Sequence, residues 1–310
     1  MRTNTNMNQK GAALIAVLWL IAILSLAAIT TLRVISFDME IVTAKVHGSR
    51  AFQLAETGIA IGSNPAVERD DPLLHRIDGA NNEEVHVSIT SEGARFNINK
   101  LVLAEDKTLI RSIFIDWGLD LDSAQALTDA LTDWVDADDE TALNGAEVGE
   151  YESIGRLNQP FNRPFYDIGE MSLVIGMDQI EALRPDWRDW FTVWSSGTLD
   201  LNEANAELIA VAAEVTVTEA TIIPQTVRGV DDIRDTEDDA PFQDVASALS
   251  LLGIDANSRQ DIAQRFTTDD TTTRITSIAR SGDSKRRITA IVRNRTGKPA
   301  LLDRSTEIIP

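Results

Sequence analysis

Residues 12–32 read AALIAVLWLIAILSLAAITTL, twenty-one positions without a charge, directly after Lys10-Gly11. At the helical rise per residue this run covers about 31 Å, enough to cross the hydrocarbon core of a bilayer. The eleven residues before it carry Arg2 and Lys10 and no acid. A secretory signal peptide has its small-residue cleavage site after the apolar run. Here the junction of that kind, Gly11-Ala12, lies before it, so cleavage would leave the apolar helix on the mature chain. The basic stub predicts a cytoplasmic N-terminus, with the C-terminal bulk across the membrane. No other run is long enough to span, which predicts a single-pass protein. A plain signal anchor is the simpler alternative on these residues alone.

The 310 residues hold 28 Lys+Arg against 49 Asp+Glu, a net charge of −21, and no cysteine. Without Arg2 and Lys10 the balance is 26 against 49, or −23. So acidic a surface repels phosphate backbones and excludes nucleic-acid binding by charge neutralisation. It suits calcium and basic partners. An oxidising periplasm permits disulfides without requiring them, and a chain of this length buries an adequate core without one.

Helical signals continue past the apolar run, with no proline before Pro65. Val34, Phe37, Ile41, Ala44, Gly48, Ala51, Phe52, Ala55 and Ile59 recur at three- and four-residue spacing and predict one stripe on a long helix from about Ala12 to about Gly62. Its first half would lie in lipid and its second half on a globular domain. Val85, Val87 and Ile89 alternate with polar residues as in a half-buried strand, with Arg95–Asn99 as its expected pair across Ser91-Glu92-Gly93. Arg274–Ala279 and Arg286–Arg293, flanking Gly282-Asp283, read as a hairpin.

Roughly 170 residues of helical character separate these strand regions. Lys107–Trp117, Ser123–Val135, Asp167–Leu173, Asp178–Leu183, Ala204–Ala213, Phe242–Leu252 and Ser258–Phe266 are the expected helices. The prediction is an α+β fold: a long N-terminal helix packed on an antiparallel sheet, with a large all-helical domain inserted into the sheet. Ile168–Met177 and Leu199–Leu208 resemble helix-hairpin-helix units. Their neighbours Glu170, Asp178, Asp200, Glu203 and Glu207 argue for compact packing rather than phosphate binding.

The leader and helix together resemble the class III leader of type IV pilins and type II secretion pseudopilins, and Arg50–Gly58 resembles a small-residue segment at the same depth in pilin-like chains. More specific is Leu131–Glu140, followed by Asn144–Glu147 and Tyr151 and preceded by Phe96–Leu101. With Pro164-Phe165, Glu170–Met177 and Val193–Asn202 in the same order, these blocks resemble the general secretion pathway protein K family, the large minor pseudopilins of type II secretion systems.

The resemblance implies a pilin-like fold with leader 1–11, transmembrane helix 12–33, an α/β domain of 34–100 and 268–310, and an inserted helical domain of 101–267. It implies a non-catalytic tip subunit of a periplasmic pseudopilus, anchored in the inner membrane. Its implied partners are the I- and J-type minor pseudopilins, the major pseudopilin and the inner-membrane assembly platform. A prepilin peptidase would cut between Gly11 and Ala12 and methylate the new amine. Most pilin-like subunits carry Glu at the fifth mature position; here that position is Ala16, with no acid before Asp38. The implied family lacks this Glu too, consistent with a subunit that does not dock beneath another.

Asp133, Asp136, Asp138, Asp139, Glu140 and Glu147 gather hard oxygen donors around one turn, which suits the six to eight oxygens calcium takes. The spacing is not that of an EF-hand, and a solvated acidic helix end is the alternative. The resemblance favours Ca2+, with Asp133, Asp136, Asp138, Asp139 and Glu147 as ligands. Val148 and Gly149 stand where the family often has acids, leaving Glu150 or backbone carbonyls to substitute. A second acidic run, Asp231–Asp239, reads as a mobile loop. A minor pilin of a type IV pilus-like filament is the alternative function. Hydrolase chemistry finds no Gly-x-Ser-x-Gly elbow or phosphate loop, and His47, His75 and His86 stand at unrelated spacings.

Overall fold

The computed structural model describes residues 7–105 and 107–309. Helix α1 (Met7–Gly62) is uninterrupted over 56 residues, about 84 Å at the α-helical rise. Residues 1–6 of the expected leader, and the side chains of Gly11 and Ala12, lie outside what is described. Strands β1 (His75–Asp78) and β2 (Glu83–Ser91) follow. The chain then leaves the sheet through β3 (Phe96–Asn97), α2 (Ile98–Val102), α3 (Thr108–Asp116), α4 (Leu121–Val135), α5 (Val148–Ser153), α6 (Met177–Leu183), β4 (Phe191–Thr192) and β5 (Leu199–Asp200). It continues through α7 (Ala206–Ala213), α8 (Val217–Ala220), α9 (Ile222–Val227), α10 (Val245–Leu251), α11 (Gln260–Ala263) and β6 (Phe266–Thr267). The sheet resumes with β7 (Thr272–Ser281), β8 (Ser284–Arg293) and β9 (Ala300–Ile309).

Five strands form one antiparallel sheet in the order β1-β2-β7-β8-β9. Its inner face carries Val85, Val87, Ile89, Ile275, Ala279, Ile288, Ala290 and Val292, all buried beneath the last turns of α1. This is the α+β, pilin-like arrangement expected from the periodicities. The β7–β8 hairpin turns at Gly282, which adopts φ +55°. The terminal strand β9 was not foreseen, because its residues, mostly exposed, carry no clean alternation of apolar and polar side chains.

The helix reaches the sheet through small residues. Gly48, Ala51, Ala55, Gly58 and Gly62 are buried on one face. A Cβ on Gly58 would lie 2.2 Å from Ser277 Oγ and 2.9 Å from Val87 Cγ2, and one on Gly62 would lie 2.7 Å from Ile275 Cγ2. The expected stripe therefore packs only in its second part. Val34, Phe37 and Ile41 are exposed, as is every described residue from Ala13 to Val46. The last carbonyl of α1 is met by the buried guanidinium of Arg295, which donates to Gly62 O at 2.6 Å and also to the carbonyls of Asn64 and Val67 just beyond the helix.

These contacts set a polarity. His47 lies against Gly282 at the β7–β8 turn, Gly58 against Ser277, and Gly62 against Ile275. Helix α1 thus runs antiparallel to β7, and its exposed apolar half projects beyond the hairpin turn. The chain leaves the sheet after Ser91 and re-enters at Thr272, one residue before Thr273, the partner of Ser91, at the opposite pole. The insert sits at the end of the molecule away from the apolar half.

Residues between β2 and β7 have their own core, centred on α4: Leu127, Leu131 and Trp134 bury against Phe114, Tyr151, Phe165 and Trp187. Two carboxylates fix the insert to the sheet. Glu92, fully buried, pairs with Arg274 and Arg95 and accepts from the Thr192 hydroxyl. Glu203 pairs with Arg69 and Arg234.

Three expectations about this region are corrected. Arg95–Asn99 does not pair with β2: a 3-10 turn at Glu92–Ala94 diverts the chain, Phe96 enters the helical core, and Phe96–Asn97 pairs in parallel with Phe191–Thr192. Leu199–Leu208 is no helical hairpin, because Leu199–Asp200 pairs in parallel with Phe266–Thr267. That same pairing limits the helix expected over Ser258–Phe266 to Gln260–Ala263.

Alanine at Gly58 would gain about 1 kcal/mol of helix propensity and lose about 1–3 kcal/mol to overpacking. Gly58→Ala is expected to lower the melting temperature of the full-length protein in detergent, and adding Ser277→Ala to recover part of the loss.

Candidate metal centre

Helix α4 begins at Asp120, whose carboxylate accepts from Ser123 N at 2.9 Å, and ends at the capping residue Asp136. Asp129 and Asp133 fall one turn apart on the face that the following loop covers. That loop folds back over both. Ala142 N lies 3.2 and 3.3 Å from the two oxygens of Asp133, while Asn144 donates its backbone N–H and side-chain amide to Asp129 Oδ2 at 3.3 Å. Gln125 holds the other oxygen of Asp129 at 2.7 Å. Gly145 leaves room for the Asp133 carboxylate, since a Cβ there would lie 1.9 Å from Oδ2. The chain then enters α5 at Glu147, whose N–H is taken by Glu150 at 2.9 Å.

The result is an acidic cluster with too few counter-charges. Glu147 is buried, and its carboxylate faces the Val148 and Glu150 N–H groups as the cap of α5 without either oxygen completing a well-formed hydrogen bond. Burial, then the charges of Asp133, Asp136 and Asp139, push its carboxyl up to about 7. Asp133 is raised by burial and then by Asp136 and Asp129, against the lowering effect of the Ala142 and Ala146 N–H groups. Asp136 is raised by burial and by Asp138, with Lys107 opposing. Its Oδ1 is also buried without a partner.

Of the ligands expected from the sequence, the fold therefore groups Asp133, Asp136, Asp139 and Glu147. Asp138 and Asp139 are both exposed; the Asp138 carboxylate accepts from Glu140 N at 3.0 Å, closing a turn, and its charge acts on Asp136. Asn162, unforeseen, bonds the Asp138 carbonyl at 2.9 Å and Asp139 Oδ1 at 3.0 Å through its amide nitrogen. Its Oδ1 is buried and free of partners, as is Gln159 Oε1 on the same loop. Neither residue is acidic, so no charge pattern marks them. As the side chains stand, no three His, Cys, Asp or Glu groups among the described residues converge to hold a metal ion. The unpartnered oxygens fit a hard cation nevertheless, because each lacks the donor that a buried oxygen ordinarily finds.

The second acidic run is built differently. Asp238 accepts from Val230 N and Asp231 N, Asp239 accepts from Asp235 N, and Arg234 pairs with Glu203. These carboxylates spend themselves on turn formation.

Residues 94–186, which contain the whole acidic cluster, match the family described as type II secretion system protein K. This stretch is similar to the protein K domain. Type II secretion system protein K of Dickeya chrysanthemi is 39% identical over 70 residues, 23% of this chain and 19% of that protein. Its counterpart from Klebsiella pneumoniae is 34% identical over 109 residues, 32% of this chain and 33% of that protein. The matched stretches thus span a fifth and a third of those relatives. A chain of the solved GspK-GspI-GspJ complex from the enterotoxigenic Escherichia coli type 2 secretion system superposes over 88% of this chain and 98% of its own length, with TM-score 0.59 and 16% identity. That likeness is one of fold. Together these matches bear out the protein K resemblance read from the sequence.

An acid whose folded pKa lies above its unfolded value stabilises the fold below the unfolded pKa and loses that contribution as pH rises through the folded one. For Glu147 the window runs from the ordinary glutamate range to about 7. In chelator, this group is expected to make the protein melt at a lower temperature at pH 8 than at pH 6. Glu147→Gln is expected to flatten that difference, as measured by differential scanning fluorimetry.

Proposed function

We propose that the chain is a non-catalytic minor pseudopilin at the tip of a type II secretion pseudopilus, initiating or capping assembly for the export of folded proteins across the outer membrane. The observation that carries this reading is the polarity of the fold. The apolar half of α1 projects from one pole, and the insert, with its stretch similar to protein K, occupies the other. A subunit stacked along the α1 axis would meet the insert. Ala16 supports the same position, since no carboxylate stands in the apolar half to pair with a neighbour's amine.

In this reading residues 1–11 are a leader removed by a prepilin peptidase between Gly11 and Ala12, with methylation of the new amine. Residues 12–33 cross the inner membrane, and the acidic head is periplasmic. Helix α1 is long and apolar enough for such a span. The sheet domain joins the filament, and the helical domain inserted between Ser91 and Thr272 forms its cap. The I- and J-type minor pseudopilins, the major pseudopilin and the assembly platform are the proposed partners. GspK, GspI and GspJ form one complex in the solved Escherichia coli assembly.

Calcium is the proposed cofactor, held by Asp133, Asp136, Asp139 and Glu147, with Asp138 at the margin. Bound there, it would neutralise the cluster and lock the α4–α5 loop. Calcium at 100 times its Kd would add about 2.7 kcal/mol to stability; Asp136→Ala is expected to abolish most of the rise in melting temperature that calcium produces.

Gold labelling of the full chain in assembled pseudopili tests the position. Label at one end of each filament is the expected result, and uniform label along the shaft would overturn it. Label on type IV pili in place of pseudopili would favour the alternative filament.

A further inference from the structure

The antiparallel register of the sheet sets His75 on β1 directly opposite His86 on β2, although their spacing in the sequence carries no metal motif. Both side chains are exposed on the face away from α1. Their Nδ1 atoms lie 2.7 Å apart, with ring centroids 4.3 Å apart and planes inclined by 49°. Two Nδ1 atoms at this separation either share one proton or share one cation. Two imidazole nitrogens on a tetrahedral zinc, each about 2.0–2.1 Å from the metal, stand about 3.3 Å apart. A small rotation of two exposed rings supplies the difference.

We propose that His75 and His86 form a two-imidazole site for a borderline divalent cation such as zinc or copper. The site is separate in place and chemistry from the oxygen cluster after α4. Imidazole suits zinc and copper, whereas carboxylate and carbonyl oxygens suit calcium. Solvent exposure leaves the remaining coordination positions to water. Glu84, on the same face of β2, adds negative charge nearby, while Arg280 holds its carboxylate at 3.2 Å. His86 is also biased toward the neutral form that ligates metals, by desolvation first and then by His75.

The consequence is mechanical. Strand β1 is four residues long and, among the described residues, lies at the sheet edge and pairs only with β2. A cation bridging His75 and His86 would staple that strand, and with it the connection from the end of α1, to the rest of the sheet.

The test is zinc titration of the full-length protein in detergent micelles, with calcium saturating to occupy oxygen sites. One zinc equivalent is expected. Loss of an outer-shell partner already weakens a metal site about 10–100-fold, so His75→Gln and His86→Gln are each expected to weaken binding at least about tenfold. His47→Gln, which removes the one other histidine, is expected to leave it unchanged. Copper in place of zinc should show electron paramagnetic coupling to two imidazole nitrogens, reduced to one in either single variant. Absence of a zinc equivalent would overturn the proposal. So would zinc binding or copper coupling that persists in the His75→Gln, His86→Gln double variant.

Discussion

Like charges gathered in a partly dry site must lose protons reluctantly or acquire a cation, and the end of α4 is built around that constraint. Burial and the charges of Asp133, Asp136 and Asp139 raise the Glu147 carboxyl, and Lys107 opposes the rise at Asp136. The loop over them is shaped to keep the carboxylates in place: Gly145 yields space to Asp133, and Ala142 and Asn144 spend their N–H groups on Asp133 and Asp129. Yet neither Glu147 oxygen completes a well-formed hydrogen bond. Leaving such groups unpaired costs about 1–3 kcal/mol each. A divalent ion bound there would remove the cost and the repulsion together, and loop order would then depend on the ion.

The same loop is continuous with the core of the insert. Trp134 precedes Asp136 by two residues and packs edge-on to Tyr151 at 5.5 Å, itself on α5. Fixing the acidic cluster therefore fixes two helices against one aromatic core. Beyond the insert, Glu92 pairs with Arg274 on β7, and Glu203 pairs with Arg69 in the connection from α1 to β1. The sheet in turn is seated on α1 by side chains small enough for helix and strands to touch. The chain reads as a rod, a sheet and a cap, each fastened by a different kind of contact.

Long-period features were legible from residues alone. The unbroken helix followed from the absence of proline before Pro65, and the β7–β8 hairpin from alternation around Gly282. The protein K blocks pointed to the acidic stretch after α4, where the charges of Asp133, Asp136 and Asp139 raise the Glu147 carboxyl. Contacts that depend on distant chain segments were not legible. Phe96–Asn97 pairs with Phe191–Thr192 across nearly a hundred residues; in isolation it looked like the return strand of a local hairpin. Gln159 and Asn162 carry no charge to draw attention, and the meeting of His75 with His86 is a product of strand register. The apolar stripe from Val34 to Ala44 shows a further limit, because periodicity reports an apolar face without naming what covers it.

The most direct measurement is proton release on calcium binding, read by isothermal titration of the full-length protein at pH 6 in buffers of differing ionisation enthalpy. A Glu147 carboxyl that titrates near 7 is mostly protonated at pH 6 and must lose its proton to become a ligand. The account predicts release of close to one proton per protein, falling toward zero by pH 9. Calcium uptake with no buffer-dependent heat at pH 6, or no uptake at all, would contradict it.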